Sequence, residues 1–170
     1  MKATIKLLAG IVTALALLGT SYSAVAEKRD MTYTKSVMRT VSKNAITLTE
    51  SPNHKVSQEV QFHAAKFSSP DFQPIEEWVY IHFDQTDGSG IHKGYYTLVF
   101  KGGDQAYGTF EGTHKTASKD DGSWLSTWDG TYKYLGGSGK YKNIKGTGAY
   151  KGKIGSKESF FEEGREQVEY

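Results

Sequence analysis

From Glu27 to Tyr170 the chain keeps one habit: apolar and polar residues alternate over short runs, and turn signals separate most of them. Successive residues of a strand face opposite sides of a sheet, so this alternation predicts strands, and no stretch carries the apolar stripe of a helix. The runs are Tyr33–Val41, Ala45–Thr49, Gln58–Phe67, Glu77–Gln85, Gly94–Lys101, Ala106–Ala117, Trp124–Tyr134, Gly146–Ile154 and Ser159–Tyr170. Asp87-Gly88, Gly102-Gly103-Asp104, Asp121-Gly122 and Gly136-Gly137 punctuate them, and Asp-Gly or Gly-Gly between such runs is a strong hairpin signal. The fold class is all-β.

Glycine decides between sandwich and barrel. Seventeen of the 19 glycines lie from Gly88 onward, and several fall inside strands: Gly108 and Gly112, Gly148 and Gly152, with Gly94, Gly130 and Gly146 within or beside others. Interior glycine weakens a flat sheet but permits the sharp coiling that closes a small barrel. Closure also removes sheet edges. We therefore expect a single closed or nearly closed antiparallel barrel of about eight strands, spanning residues 27–170.

The first 26 residues read differently. Lys2 and Lys6 precede an apolar stretch from Leu7 to Leu18, and Ala24 and Ala26 stand at the −3 and −1 positions of a small-residue site. That order predicts a secretory signal peptide cleaved after Ala26, and hence a periplasmic or secreted protein. Lys2 and Lys6 are two of the 21 Lys and Arg, so the remainder carries 19 against 19 Asp and Glu. A neutral chain with scattered charge, including the solvated run Lys140, Lys142 and Lys145, gives no electrostatic case for nucleic acid. Stable membrane insertion after signal removal is not expected either. A lipid-facing strand needs an apolar residue at every second position, whereas Lys35 and Arg39 share a face in the first run. In the last run Glu162, Gly164, Glu166 and Val168 are in register with Tyr170. The chain has no cysteine, which excludes thiolate chemistry and leaves stability to the core and the sheet.

One passage carries a family resemblance. Tyr134-Leu135-Gly136-Gly137-Ser138-Gly139-Lys140-Tyr141 leads through a short turn to Gly146-Thr147-Gly148-Ala149-Tyr150-Lys151-Gly152. Upstream lie Tyr107-Gly108-Thr109-Phe110-Glu111-Gly112-Thr113 and Trp128-Asp129-Gly130-Thr131-Tyr132. Together these resemble the allene oxide cyclase and dirigent-like barrels, over roughly residues 77–154. The resemblance implies an eight-stranded barrel with a cavity at one mouth. Its members include cyclases and proteins that steer radical coupling, and their sites use cavity carboxylates, aromatics and polar groups on strands. No family site residue aligns one to one. The glycine run is not a phosphate loop, because Tyr134 replaces the first glycine and Tyr141 follows the lysine.

The strand from Trp78 to Asp84 sets Trp78, Tyr80, His82 and Asp84 on one face and Val79, Ile81 and Phe83 on the other. Either the mixed face lines a cavity, since ligand sites combine aromatics with a few polar groups, or the aliphatic face is core and the mixed face meets solvent. On the cavity reading, Trp78, Tyr80, His82, His92, Tyr96, Tyr107 and Trp128 are ligand-binding candidates. His82 and Glu111 are then the acid/base candidates, because histidine titrates near neutrality and a buried glutamate can be tuned toward it. The five histidines lack metal-ligand spacing, so no metal and no organic cofactor are expected. Three readings follow: a barrel binding a small apolar or amphipathic ligand, a cyclase or isomerase in the same cavity, or an interaction scaffold with a packed lumen. Association into a homo-oligomer stays open.

Overall fold

The computed structural model describes residues 27–170, so the signal segment and its Ala26 cleavage site lie outside the described residues. Eight antiparallel strands follow one another: β1 (Lys28–Leu48), β2 (Ser51–Phe67), β3 (Pro74–Thr86), β4 (Ser89–Phe100), β5 (Gln105–Ser118), β6 (Trp124–Gly137), β7 (Lys145–Gly155) and β8 (Glu158–Glu169). Each pairs with the next, and β8 returns to β1, so the sheet closes into a barrel in simple sequence order. The all-β antiparallel barrel expected from the alternation is the fold.

Turn chemistry sets the register. Asp87 and Gly88 both take positive φ (52° and 74°), the pairing a tight two-residue hairpin between twisted strands requires. The sequence splits the first strand in two, at Tyr33–Val41 and Ala45–Thr49, and the structure joins them. Register shifts between Lys35 and Val37 and between Thr40 and Ser42 insert extra residues that flip the alternation without ending the strand. One consequence is that Lys35 faces inward while Arg39 turns outward over the Phe62 ring, 5.8 Å from its centroid. Beyond Lys35, β1 leaves β8 and pairs with β2 alone.

The strand glycines face the barrel axis beneath aromatic rings. Tyr33 lies opposite Gly164, Tyr96 opposite Gly108, Trp128 opposite Gly152, Tyr132 opposite Gly148 and Tyr150 opposite Gly130. Each ring lies where a β-carbon on its glycine would stand, a packing that shields the bare backbone and tightens the coil. Gly148→Ala should therefore push Tyr132 off its position and destabilise the fold by about 1–3 kcal/mol. Thermal unfolding would check this, and an unchanged midpoint would contradict the close approach.

One end of the barrel is sealed. The β2–β3 connection folds under it and inserts Phe72, which is fully buried. The Phe67, Phe100, Tyr141 and Tyr170 ring centroids lie 4.9–5.4 Å from that of Phe72. Gln73 staples the connection by donating to the carbonyls of Phe67 and Ser69, both at 2.6 Å. The glycine-rich passage after β6 has a structural role here. Gly139 takes φ +52° and packs against the Asp104 carboxylate, which accepts the Lys140 N–H at 3.0 Å. The short 3-10 turn Gly139–Tyr141 thereby carries Tyr141 to the plug, where its hydroxyl donates to the Asp71 carbonyl at 3.1 Å.

Candidate functional site

The opposite end is open. Above the plug the inward side chains surround a cavity of about 390 Å³, within the size range of small-molecule sites. Its walls change character with depth. Near the mouth stand Trp124 (40% exposed), Thr116, Ser126, His114, Gln85 and Phe83. At mid-depth the wall is aromatic, with Trp128, Phe110, Tyr150 and Phe160; Trp128 stacks on Phe160 at 5.8 Å and 19°. The floor is built from tyrosines and charge.

That floor contains three carboxyl groups and one ammonium. Lys35 Nζ on β1 reaches Glu77 Oε1 on β3 at 2.7 Å and Glu162 Oε1 on β8 at 2.8 Å. Glu77 and Glu162 are 4% and 7% exposed. Tyr33 donates to Glu162 Oε1 at 3.3 Å and the Trp128 indole to Oε2 at 2.9 Å. Glu166, one inward position further along β8, accepts from the Tyr132 hydroxyl at 2.5 Å and the Tyr134 hydroxyl at 3.1 Å, both through Oε2.

Burial penalises each charge, and the partners decide how far. For Lys35 burial lowers the pKa, but Glu162 and Glu77 outweigh it and raise it overall. Glu162 is likewise opposed by burial, yet Lys35 holds it below the ordinary glutamate value. Glu77 ends above its ordinary value, because burial exceeds what Lys35 returns. Glu166, without a cation in contact, is pushed by burial up to about 7 despite its two tyrosine donors. Burial also pushes the tyrosines lining the floor up, so they stay protonated donors.

Two histidines join the wall as neutral rings. Burial, with Lys35 nearby, pushes His63 down to about 3, and burial, with His114 nearby, pushes His92 down to about 4. A relay fixes the His63 proton. Lys43 holds Glu59 at 2.6 Å, Glu59 accepts the Gln61 amide N–H at 2.8 Å, and Gln61 Oε1 therefore accepts from His63 Nε2 at 3.0 Å. His92 Nε2 lies 2.7 Å from the Tyr150 hydroxyl. A histidine whose folded pKa is lowered lends stability above its unfolded value of about 6.5, and that stability is lost as pH falls toward the folded value. Imidazole NMR signals of His63 and His92 should show no inflection between about pH 8 and about pH 5. A midpoint near 6.5 at either would contradict the neutral buried state.

Of the residues singled out in the sequence, His92, Tyr96 and Trp128 line the lumen. The others do not. The aliphatic face of β3 points inward with Val79, Ile81 and Phe83, so Trp78, Tyr80 and His82 face outward. Trp78 packs edge-on against Phe62 and donates to Glu76 at 2.9 Å. Tyr80 (51% exposed) and His82 border an outer groove with Lys93, Tyr95 and Glu111. Tyr107 is 43% exposed. The cavity reading of that β3 face, and with it the pairing of His82 and Glu111 as lumenal acid and base, is corrected: both lie outside the barrel wall. Sequence reasoning missed Lys35, Glu77, Glu162, Glu166, His63, Tyr132 and Tyr150. For Glu162 and Glu166 the signal was present in β8, where Glu162, Gly164, Glu166 and Val168 alternate in the phase that buries Val168.

Among the described residues no group of three or more His, Asp or Glu side chains is placed to hold a metal ion. The sequence matches no family model and no curated protein. Among solved structures the chain is similar to the pterocarpan synthase dirigent protein GePTS1, at 11% identity and a TM-score of 0.32, over 87% of this chain and 88% of that one.

Proposed function

We propose that the barrel binds a small amphipathic organic ligand in its lumen, polar end down. The observation that supports this is the gradient of the wall: an open, partly exposed aromatic mouth above a floor whose buried polar atoms are incompletely satisfied. At the floor Glu77 Oε2, Glu166 Oε1, the Tyr96 hydroxyl and His63 Nδ1, and higher in the wall the Nδ1 atoms of His92 and His114, have no hydrogen-bond partner among the described residues, and all six residues border the cavity. Buried polar groups are nearly always paired, and leaving one unpaired costs about 1–3 kcal/mol. A cluster of them at the end of an open pocket is what a ligand's polar groups would satisfy. Val79, Ile81, Phe83, Phe110 and Phe160 stand in the wall of the lumen but leave a cavity of about 390 Å³ between them, whereas a mere scaffold would be expected to have its lumen filled.

We place this activity outside the cytoplasm, after loss of residues 1–26. Intact-mass analysis of protein recovered from its own cell envelope should then give a chain beginning at Glu27. Native mass spectrometry of the same material should show a mass excess that disappears on denaturation. A bare mass at native abundance would favour the scaffold reading instead.

A second reading, a cyclase or isomerase, has one observation in its favour. Glu166 sits at the floor with Oε2 fixed by two tyrosines, Oε1 free toward the lumen and a carboxyl group near half-ionised at neutral pH. Such a group can give or take a proton. With the ligand identified by mass, E166Q should abolish its conversion even at ligand concentrations that saturate the variant; unchanged conversion would remove Glu166 from the chemistry.

A further inference from the structure

The unsatisfied atoms of the floor are mostly of one kind. Glu77 Oε2 and Glu166 Oε1 are carboxyl oxygens, and His63 Nδ1 is an acceptor because the Lys43–Glu59–Gln61 relay places the ring proton on Nε2. Among the described residues Lys35 is the one cation at this depth, and it is already divided between Glu77 and Glu162. Three buried carboxyl groups thus face a single ammonium, and the floor is short of both hydrogen-bond donors and positive charge. The rings around it can supply a third element. The Lys35 ammonium already lies 5.0 Å from the Tyr33 ring centroid, and Tyr96 and Tyr132, with Trp128 and Tyr150 above them, offer further aromatic surface in the lumen. Aromatic walls over an acidic floor are the surroundings in which organic cations bind well.

We propose that the ligand is an organic cation, an amphipathic amine whose ammonium group pairs with Glu77 Oε2 and Glu166 Oε1 while its apolar body lies along the aromatic wall. This rests on the reading of the lumen as a ligand site and adds the chemical class. A carboxylate or phosphate is disfavoured, because it would bring like charge to a desolvated acidic floor. A neutral alcohol can donate one hydrogen bond but leaves the charge uncompensated.

The test compares three probes with one body and three heads: phenethylamine, phenethyl alcohol and hydrocinnamate, titrated calorimetrically into the wild-type protein near neutral pH. The amine should bind at least about tenfold tighter than the alcohol, the worth of one charge-assisted hydrogen bond, with the carboxylate weakest. In E166Q and in E77Q the amine's advantage should shrink toward that of the alcohol. The alcohol should lose less than the amine in each variant, and a cooperative thermal unfolding transition reports that each variant is folded. An alcohol equal to the amine, or a carboxylate tighter than both, overturns the cation and leaves the lumen site standing. If none of the three binds the wild-type protein up to about 1 mM, the lumen reading fails and takes this inference with it.

Discussion

Lys35→Met should destabilise the barrel by about 3–5 kcal/mol at neutral pH, the range seen when one member of a buried ion pair is removed. Lys35, Glu77 and Glu162 come from β1, β3 and β8, and all three are at most 8% exposed. Methionine fills the same space but leaves two desolvated carboxyl groups without their cation. The cost is that of the stranded charges rather than of the lost contact, so it depends on pH in a way that a packing defect would not. In the wild-type protein the Glu162 pKa is lowered by Lys35. Its contribution is therefore present above the unfolded value of about 4.3 and is lost as pH falls through the folded one. Without Lys35 both carboxyls move upward, and their penalty builds as pH rises above about 4.3. Acidification toward about pH 5 therefore relieves the variant, while the wild type keeps the Glu162 contribution down to about pH 4.3. Urea unfolding at about pH 7 and about pH 5 should show the gap between the two proteins narrowing. A gap that is constant with pH would mean that the loss is one of packing, and a gap under about 1 kcal/mol would mean that the triad is dispensable.

This triad also shows where the sequence was legible and where it was not. Strand order, hairpin positions and the barrel itself follow from period-two alternation and from glycines whose spacing lets aromatic rings cross the wall. What alternation leaves undecided is which phase is inside. In β3 the inner face is Val79, Ile81 and Phe83 above Glu77, and no local rule separates that from the Trp78, Tyr80 and His82 face. The deciding information is nonlocal. Glu77 is tolerated inside because Lys35 arrives from a strand 42 residues earlier, and Lys35 faces inward with Arg39 outward because a bulge lies between them. In β8 the phase could have been read, since Glu162 and Glu166 alternate with Gly164 and Val168. A glutamate in register with a core valine belongs inside, however polar it is. Surface habit argues the other way, which is why His82 and Glu111 looked more functional than Glu166. Functional polar residues in a small barrel break the inside-out rule, and their partners lie on other strands.

Phe72→Ala is the second change expected to be severe, at about 3–5 kcal/mol, and it tests whether the lumen is a cup or a tube. The ring is fully buried and stands among Phe67, Phe100, Tyr134, Tyr141 and Tyr170. These come from the end of β2, the end of β4, β6, the 3-10 turn and the chain terminus, so no neighbour can close the gap without leaving its own strand position. The void borders Tyr134, whose hydroxyl donates to Glu166. Water admitted from below would reach the floor and reduce the burial that lifts the Glu166 pKa to about 7. Two readouts should therefore move together. Chemical denaturation should report the lost stability, and the carboxyl resonance of Glu166 should titrate lower, toward an ordinary glutamate. Phe72→Leu, which keeps most of the volume, should cost about 1.5 kcal/mol or less and leave the titration in place. A stable Phe72→Ala protein with an unmoved Glu166 would show that the floor is kept dry by the tyrosine layer itself, and that the plug below is only a loop at rest.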